Sequence, residues 1–294
     1  MSTWGNLTLA GLTAGGMYAV FALCFVTLFR TAGVLNLAVG DFAMLGALGS
    51  DYVLETYHTG FAAAIAISLV AIAVFSYAYD RVVLRPALEG RRSTETIVVI
   101  FFFTFALSFF IEGVGKNLFG VDVRSPPPLW PGPALSFWGL HLEKAGALVM
   151  ILAAVCGIAF AAYLRFSLRG KALSACGQDT FGARVVGIRQ SQYRAGMFTA
   201  MAVLAAIFGI VISPITGFVY TTGGTLGLFG LIGAAFAAFN RPGRAVIVGL
   251  AIGLAESYLG EFSTQYQDTL LYGALVAIIL IRPQILGINP IRAA

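Results

Sequence analysis

Nine apolar stretches, most of them near the length of a bilayer-crossing helix, constrain this chain more than any other feature. They run over about 7–29, 33–54, 59–80, 96–119, 145–164, 196–219, 225–239, 245–260 and 268–282. A helix needs about 20 apolar residues to cross the hydrocarbon core, where each backbone polar group must be satisfied within the protein. The surface chemistry agrees, because only 11% of residues are charged while 59% are hydrophobic, and mean hydropathy is +0.89. So few charges cannot cover a water-facing surface. Disorder, a disulfide-stapled secreted domain and a nucleic-acid binder are excluded at this step. The predicted fold is all-α: one polytopic transmembrane bundle of about 8–10 spans, forming a single domain over residues 1–294.

Two stretches depart from the pattern. The second is rich in glycine and carries Asn36 and Asp41, and the seventh is short for a full crossing. Both are expected to be broken or re-entrant helices, tolerated only where protein or water surrounds the exposed backbone. The 35 glycines suit close helix packing in lipid. Cys24, Cys156 and Cys176 are scattered and odd in number, so they read as small buried hydrophobes, neither a metal site nor a disulfide framework. The N-terminal MSTWGN lacks the basic region of a secretory signal, so the first apolar run is expected to stay in the mature protein.

The net charge of +5 takes its meaning from position. Alternating nine spans from an outside N-terminus puts Arg30, Arg81, Arg85, Arg91, Arg92, Arg165, Arg169, Lys171, Arg184, Arg189, Arg194, Arg241, Arg244, Arg282 and Arg292 inside. Only Lys116, Arg124 and Lys144 fall outside, an asymmetry of about 15 to 3. The N-terminus is therefore expected outside and the C-terminus inside. A Pro- and Trp-bearing loop, about 120–143, lies on the outer side, as a cap on the bundle or a contact for an external partner. A long basic loop, about 165–195, lies inside.

Several chemistries are missing. No GxxxxGK[ST] is present, so the chain cannot bind ATP through a P-loop, and no HExxH offers zinc ligands. His58 and His141 are both expected outside. Gly40-Asp41 and Tyr79-Asp80 resemble an intramembrane aspartyl pair only faintly, since Ala38 stands where a glycine belongs and Asp80 lies at the basic inner edge. Three acids lie in apolar segments: Asp41, Glu112 and Glu256. Intramembrane carboxylates are costly and usually face a cavity or a partner. Asp41 reads equally as pathway lining or as a helix-terminus cap. Glu112 and Glu256, near outer span ends, read as interface or structural groups.

Within the inner loop, Ala175, Asp179, Ala183 and Gly187 repeat every four residues, which puts them on one face of a helix. Small residues there allow close approach to another protein. The competing interpretation is a helix on the lipid surface with its arginines against anionic headgroups.

Several motifs in order then carry a resemblance. Gly11-Leu12-Thr13 through Tyr18-Ala19, Val34-Leu35-Asn36-Leu37-Ala38, Gly40-Asp41 and Met44-Leu45-Gly46-Ala47 resemble the opening of the permease subunits of branched-chain (hydrophobic) amino acid ABC importers. That family also includes urea and amide permeases. Gly170-Lys171-Ala172-Leu173, Asp179, Ala183 and Val186-Gly187-Ile188 are similar to its coupling helix. Gly249 to Glu256, Arg282-Pro283-Gln284 and Leu286-Gly287 are similar to its C-terminal pattern. This chain has Asn36-Leu37-Ala38-Val39-Gly40-Asp41 where the family usually has Asn-Phe-Ala-His/Gln-Gly-Glu, and Gln178 where glutamate is common. Phe239-Asn240-Arg241-Pro242-Gly243 replaces a glycine-rich turn.

The resemblance implies a permease that is not itself an enzyme and carries no cofactor. It implies a homologous permease subunit as pore partner, two cytoplasmic P-loop ATPase subunits holding ATP and Mg, and a periplasmic solute-binding protein, in a bacterial inner membrane. Ala175, Asp179, Ala183, Gly187 and Ile188 would form the ATPase-coupling surface. Tyr18, Asn36, Gly40 and Asp41 would line the translocation pathway. The alternatives are an ion-coupled secondary transporter or channel using Asp41, Glu112 and Glu256, and, less well supported, an intramembrane enzyme.

Overall fold

The computed structural model describes residues 2–32, 35–88, 93–137, 140–168, 170–172, 182, 190–237, 239, 242–262 and 273. Its helices are α1 (Ser2–Ala32), α2 (Val39–Tyr57), α3 (Phe61–Tyr79), α4 (Arg85–Leu88), α5 (Ser93–Phe119), α6 (Lys144–Phe166), α7 (Gln190–Thr216), α8 (Thr222–Phe236) and α9 (Pro242–Phe262). A π-helical turn, Asp80–Leu84, joins α3 to α4. A short antiparallel hairpin pairs β1 (Leu135–Phe137) with β2 (Leu140–Leu142) ahead of α6, Leu135 opposite Leu142. The first eight predicted spans each correspond to a helix. The ninth, about 268–282, lies outside the described residues.

Among the described residues, six helical segments are long and apolar enough to cross a membrane: Trp4–Arg30, Phe61–Ala87, Val99–Phe119, Lys144–Phe166, Tyr193–Thr216 and Pro242–Glu261. They divide by position. The most apolar window of α1 is 83% buried and that of α7 67%, whereas that of α6 is 11% buried. In water an apolar helix face is driven inward, but lipid exerts no such drive. The strongly apolar α3, α5 and α6 accordingly turn Val70, Val74, Phe102, Phe109, Ile151 and Ile158 outward. Interior positions are given to close packing and to polar side chains.

Small residues bring the interior helices together. A Cβ at Gly249 would collide with the backbone of Ala19, and one at Gly253 with the backbone of Gly15. Gly11, Gly15, Gly249 and Gly253 thus form a glycine seam between α1 and α9, so these GxxxG pairs are spent on packing inside the chain. Gly230 and Gly233 of α8 lie against Phe21 and Ala22 of α1.

One end of the bundle is fastened by Arg124. Arg124 donates from Nη1 to Asp51 Oδ2 at 3.1 Å and to Glu55 Oε2 at 2.6 Å, and from Nε to the carbonyl of Phe119 at 3.1 Å. Its backbone pairs with Phe218 in both directions, at 3.0 and 2.8 Å. Partial burial works against the guanidinium's charge, but its hydrogen bonds to the Asp51 and Glu55 carboxylates and their negative charge outweigh it and hold the pKa above the ordinary arginine range. The 120–143 loop is thereby tied to α2, α5 and the α7–α8 turn. That turn begins at Gly217, whose φ of +64° ends α7 and whose amide bonds Ser213 O at 2.9 Å.

Candidate translocation site between two interior half-helices

The two unusual stretches become α2 and α8, and their first turns meet in the interior. Ahead of α2 the chain is non-helical over 35–38. Asn36 makes that entry possible, its Oδ1 accepting from the Ala38 amide at 3.1 Å, an Asx turn that substitutes for a helical bond. Thr104 of α5 satisfies the break from the other side, its hydroxyl 3.0 Å from Leu35 O and 2.9 Å from its own Ile100 O. Exposed backbone deep in an apolar bundle is thus paired.

α8 enters through a second local device. Thr222 Oγ1 accepts from the Val219 amide at 2.9 Å, and the Thr222 amide donates to Val219 O at 3.0 Å. No side-chain oxygen caps either α2 or α8. Gly40 lets the two first turns touch: a Cβ there would run into the Gly223 carbonyl and the Gly227 amide. A Cβ on Gly223 would in turn meet Asp41 Oδ1 and Cα.

Asp41 therefore stands in the first turn of α2 with its carboxylate against the beginning of α8. It is 0% exposed, and neither carboxylate oxygen has a hydrogen-bond partner among the described residues. The expectation of a helix cap thus finds no hydrogen bond to support it. Asn36 is equally buried, and its Nδ2 is also unpartnered there. Ser108 and Glu112, one turn apart on α5, face Asp41. Glu112 Oε1 also borders Gly224, 2.9 Å from where a Cβ would stand.

Of the predicted pathway residues, Asn36, Gly40 and Asp41 are brought together. Tyr18 is buried separately against Phe229 of α8, ring centroids 4.7 Å apart, about 9 Å along α8 from Gly223 by helical rise. Glu112, read from sequence as an interface group, joins the cluster, and Ser108 was missed because a lone serine in a phenylalanine-rich span gives no signal. Glu256 lies elsewhere, on α9, half-buried beside Ser257, whose hydroxyl donates to Leu7 O at 2.8 Å. The predicted coupling residues Ala175, Asp179, Ala183, Gly187 and Ile188 lie outside the described residues. A groove of about 300 Å³ opens between α2, α3 and α5, lined by Leu45, Tyr52, Ile67, Phe75 and Phe110 among others. Its walls are almost wholly apolar, so it presents hydrocarbon, separate from the polar seam.

The first turns of two interior helices thus meet at a polar junction, with apolar helices packed around it. Comparison with known proteins gives the family. The family model described as "Branched-chain amino acid transport system / permease component" matches residues 7–280. The high-affinity branched-chain amino acid transport system permease protein BraD of Pseudomonas aeruginosa is 26% identical over 287 residues, covering 93% of this chain and 92% of its own length. LivH of Escherichia coli K12, a permease protein of the same description, is 26% identical over 291 residues with the same coverages. Among solved structures, PsaBC from Streptococcus pneumoniae in complex with Fab aligns at a TM-score of 0.48 and 15% identity, covering 93% of this chain and 88% of that one.

Proposed function

This chain belongs to the family of permease components of branched-chain amino acid transport systems, and from that premise we propose that the α2–α8 junction is the path by which a hydrophobic amino acid crosses a bacterial inner membrane. The chain is a multi-pass membrane protein of ABC-transporter type, and its homologues are transport subunits without enzymatic activity of their own. The ion-coupled alternative has no comparable support.

The observation that carries the proposal is the meeting of Gly40 with Gly223 and Gly227, two half-helix starts in backbone contact with a buried carboxylate beside them. Asn36, Gly40 and Asp41 line the path, with Tyr18 further down α8. A homologous permease completes the pore, and a periplasmic binding protein delivers the solute to an outer face that includes the 120–143 loop. Two cytoplasmic P-loop ATPases hold ATP and Mg and dock on residues 165–195 through Ala175, Asp179, Ala183, Gly187 and Ile188. The N-terminus lies outside and the C-terminus inside, as the basic residues require. ATP binding closes the ATPase pair, and the bundle shifts between outward and inward access through the differential affinity of its partner.

The test is capture of the partner from membranes. The intact chain co-purifies with a P-loop ATPase, and Asp179→Arg loses it while still inserting. Uptake by the purified chain alone without ATP would instead establish secondary transport.

A further inference from the structure

We propose that Asp41 and Glu112 form a carboxylate pair that receives the ammonium group of a zwitterionic solute, an assignment that rests on the α2–α8 junction being the path. Asp41 is fully buried, with Ser108 of α5 as the hydroxyl nearest to its carboxylate, and Glu112 approaches the same first turn of α8: Asp41 Oδ1 lies against Gly223 and Glu112 Oε1 against Gly224. Among the described residues, neither carboxylate has a basic side chain within ion-pair distance. Arg124 is held by Asp51 and Glu55, Arg194 by Asp80, and Lys116, one turn beyond Glu112, places its ammonium over the Tyr220 ring, 5.8 Å from the centroid.

A buried carboxylate without a counter-charge is among the most expensive arrangements a protein can hold. Such a group is satisfied by a ligand that brings the missing charge. The cluster defines that ligand's chemistry. Two carboxylates and a serine hydroxyl present acceptors to a compact donor of positive charge, which a primary ammonium is. The unpartnered Asn36 Nδ2 and the positive end of α8 add complementarity for the solute's carboxylate. The assignment therefore favours an α-amino acid over an organic acid or a neutral amide. The junction is closed at Gly40 and Gly223, so the solute reaches the pair as α2 and α8 part.

The test uses the assembled transporter in proteoliposomes, with Cys24, Cys156 and Cys176 replaced by alanine and Ser108→Cys introduced as a reporter. The rate at which a small methanethiosulfonate reagent labels this thiol is followed with L-leucine, 3-methylbutylamine, 4-methylpentanoate or sodium chloride present. Leucine and the amine slow labelling at least fivefold, and the organic acid and the salt leave it unchanged. Asp41→Asn and Glu112→Gln each abolish the protection, while Asp41→Glu restores part of it. Equal protection by 4-methylpentanoate, or protection that survives Asp41→Asn, overturns the ammonium assignment and leaves the path in place. Protection by sodium alone overturns it in favour of an ion site. A thiol that never labels, together with normal leucine uptake by Ser108→Trp, removes the path itself. Leucine uptake by Asp41→Asn falls at least tenfold while the thermal midpoint stays at its wild-type value; a midpoint that falls with uptake would assign Asp41 to architecture.

Discussion

Arg194 donates from Nε to Asp80 Oδ1 at 2.8 Å and from Nη2 to Oδ2 at 3.4 Å, joining the first turns of α7 to the π-turn that ends α3. Asp80 is 0% exposed, so the pair is a buried one. Such pairs contribute little against an apolar replacement, but removing one partner strands the other charge. Arg194→Ala is expected to destabilise the protein by about 3–5 kcal/mol, read as a drop in thermal midpoint in detergent. Arg194→Lys retains the charge without the planar fork and falls between. An unchanged midpoint for Arg194→Ala would show the pair to be solvated.

The glycine seam gives a contrast between two substitutions. Gly249 lies so close to Ala19 that a β-carbon has no room, whereas nothing stands within 4 Å of a Cβ on Gly113. Gly249→Val should cost at least 1–3 kcal/mol, the usual scale of overpacking, and separate α1 from α9. Gly113→Ala should be neutral or stabilising by about 0.4–1 kcal/mol through the unfolded chain. Thermal midpoints of the two variants, measured side by side, check both signs.

Around Arg124, exposure ranks the two acids. The side chain of Asp51 is 10% exposed and that of Glu55 63%, so solvent and salt screen the second pair far more. Asp51→Asn should loosen the 120–143 loop, seen as faster proteolysis within 120–134, at a cost of about 1.5–3 kcal/mol for a charged hydrogen bond. Glu55→Gln should cost under about 1 kcal/mol, and that small effect should fade in high salt. Equal effects from the two would mean that the loop is held by its backbone pairing with Phe218 alone.

The legibility of this molecule in its sequence follows a physical division. Helices and their approximate spans were readable because lipid imposes a length and a composition on each crossing. The half-helices at Asn36 and Gly223 were also readable, because glycine density and a short span depart from that rule. Side-chain pairings across the bundle were not. Asp80 carried no sign that Arg194, more than a hundred positions later, would neutralise it, and Arg124 gave no hint of a bond to α2. Glu112 looked like an interface group because its depth was judged along α5 alone. Its neighbour Asp41 comes from a helix that starts partway through the bundle, and only the fold sets the two together.

The docking face predicted within 165–195 makes a final, functional expectation. Its four positions, Ala175, Asp179, Ala183 and Gly187, recur at helical spacing and offer little side-chain bulk, so a partner can approach the backbone. Gly187→Trp adds a large ring on that face without altering any apolar span. The variant should insert normally, and in the reconstituted complex its ATPase activity should persist while uptake falls at least tenfold, because force delivered by the motor no longer reaches α7. Alanine at the same position is a small change and should retain most uptake. Wild-type uptake by Gly187→Trp would place the lever elsewhere, and the Asp80–Arg194 joint at the foot of α7 would be the next element to probe.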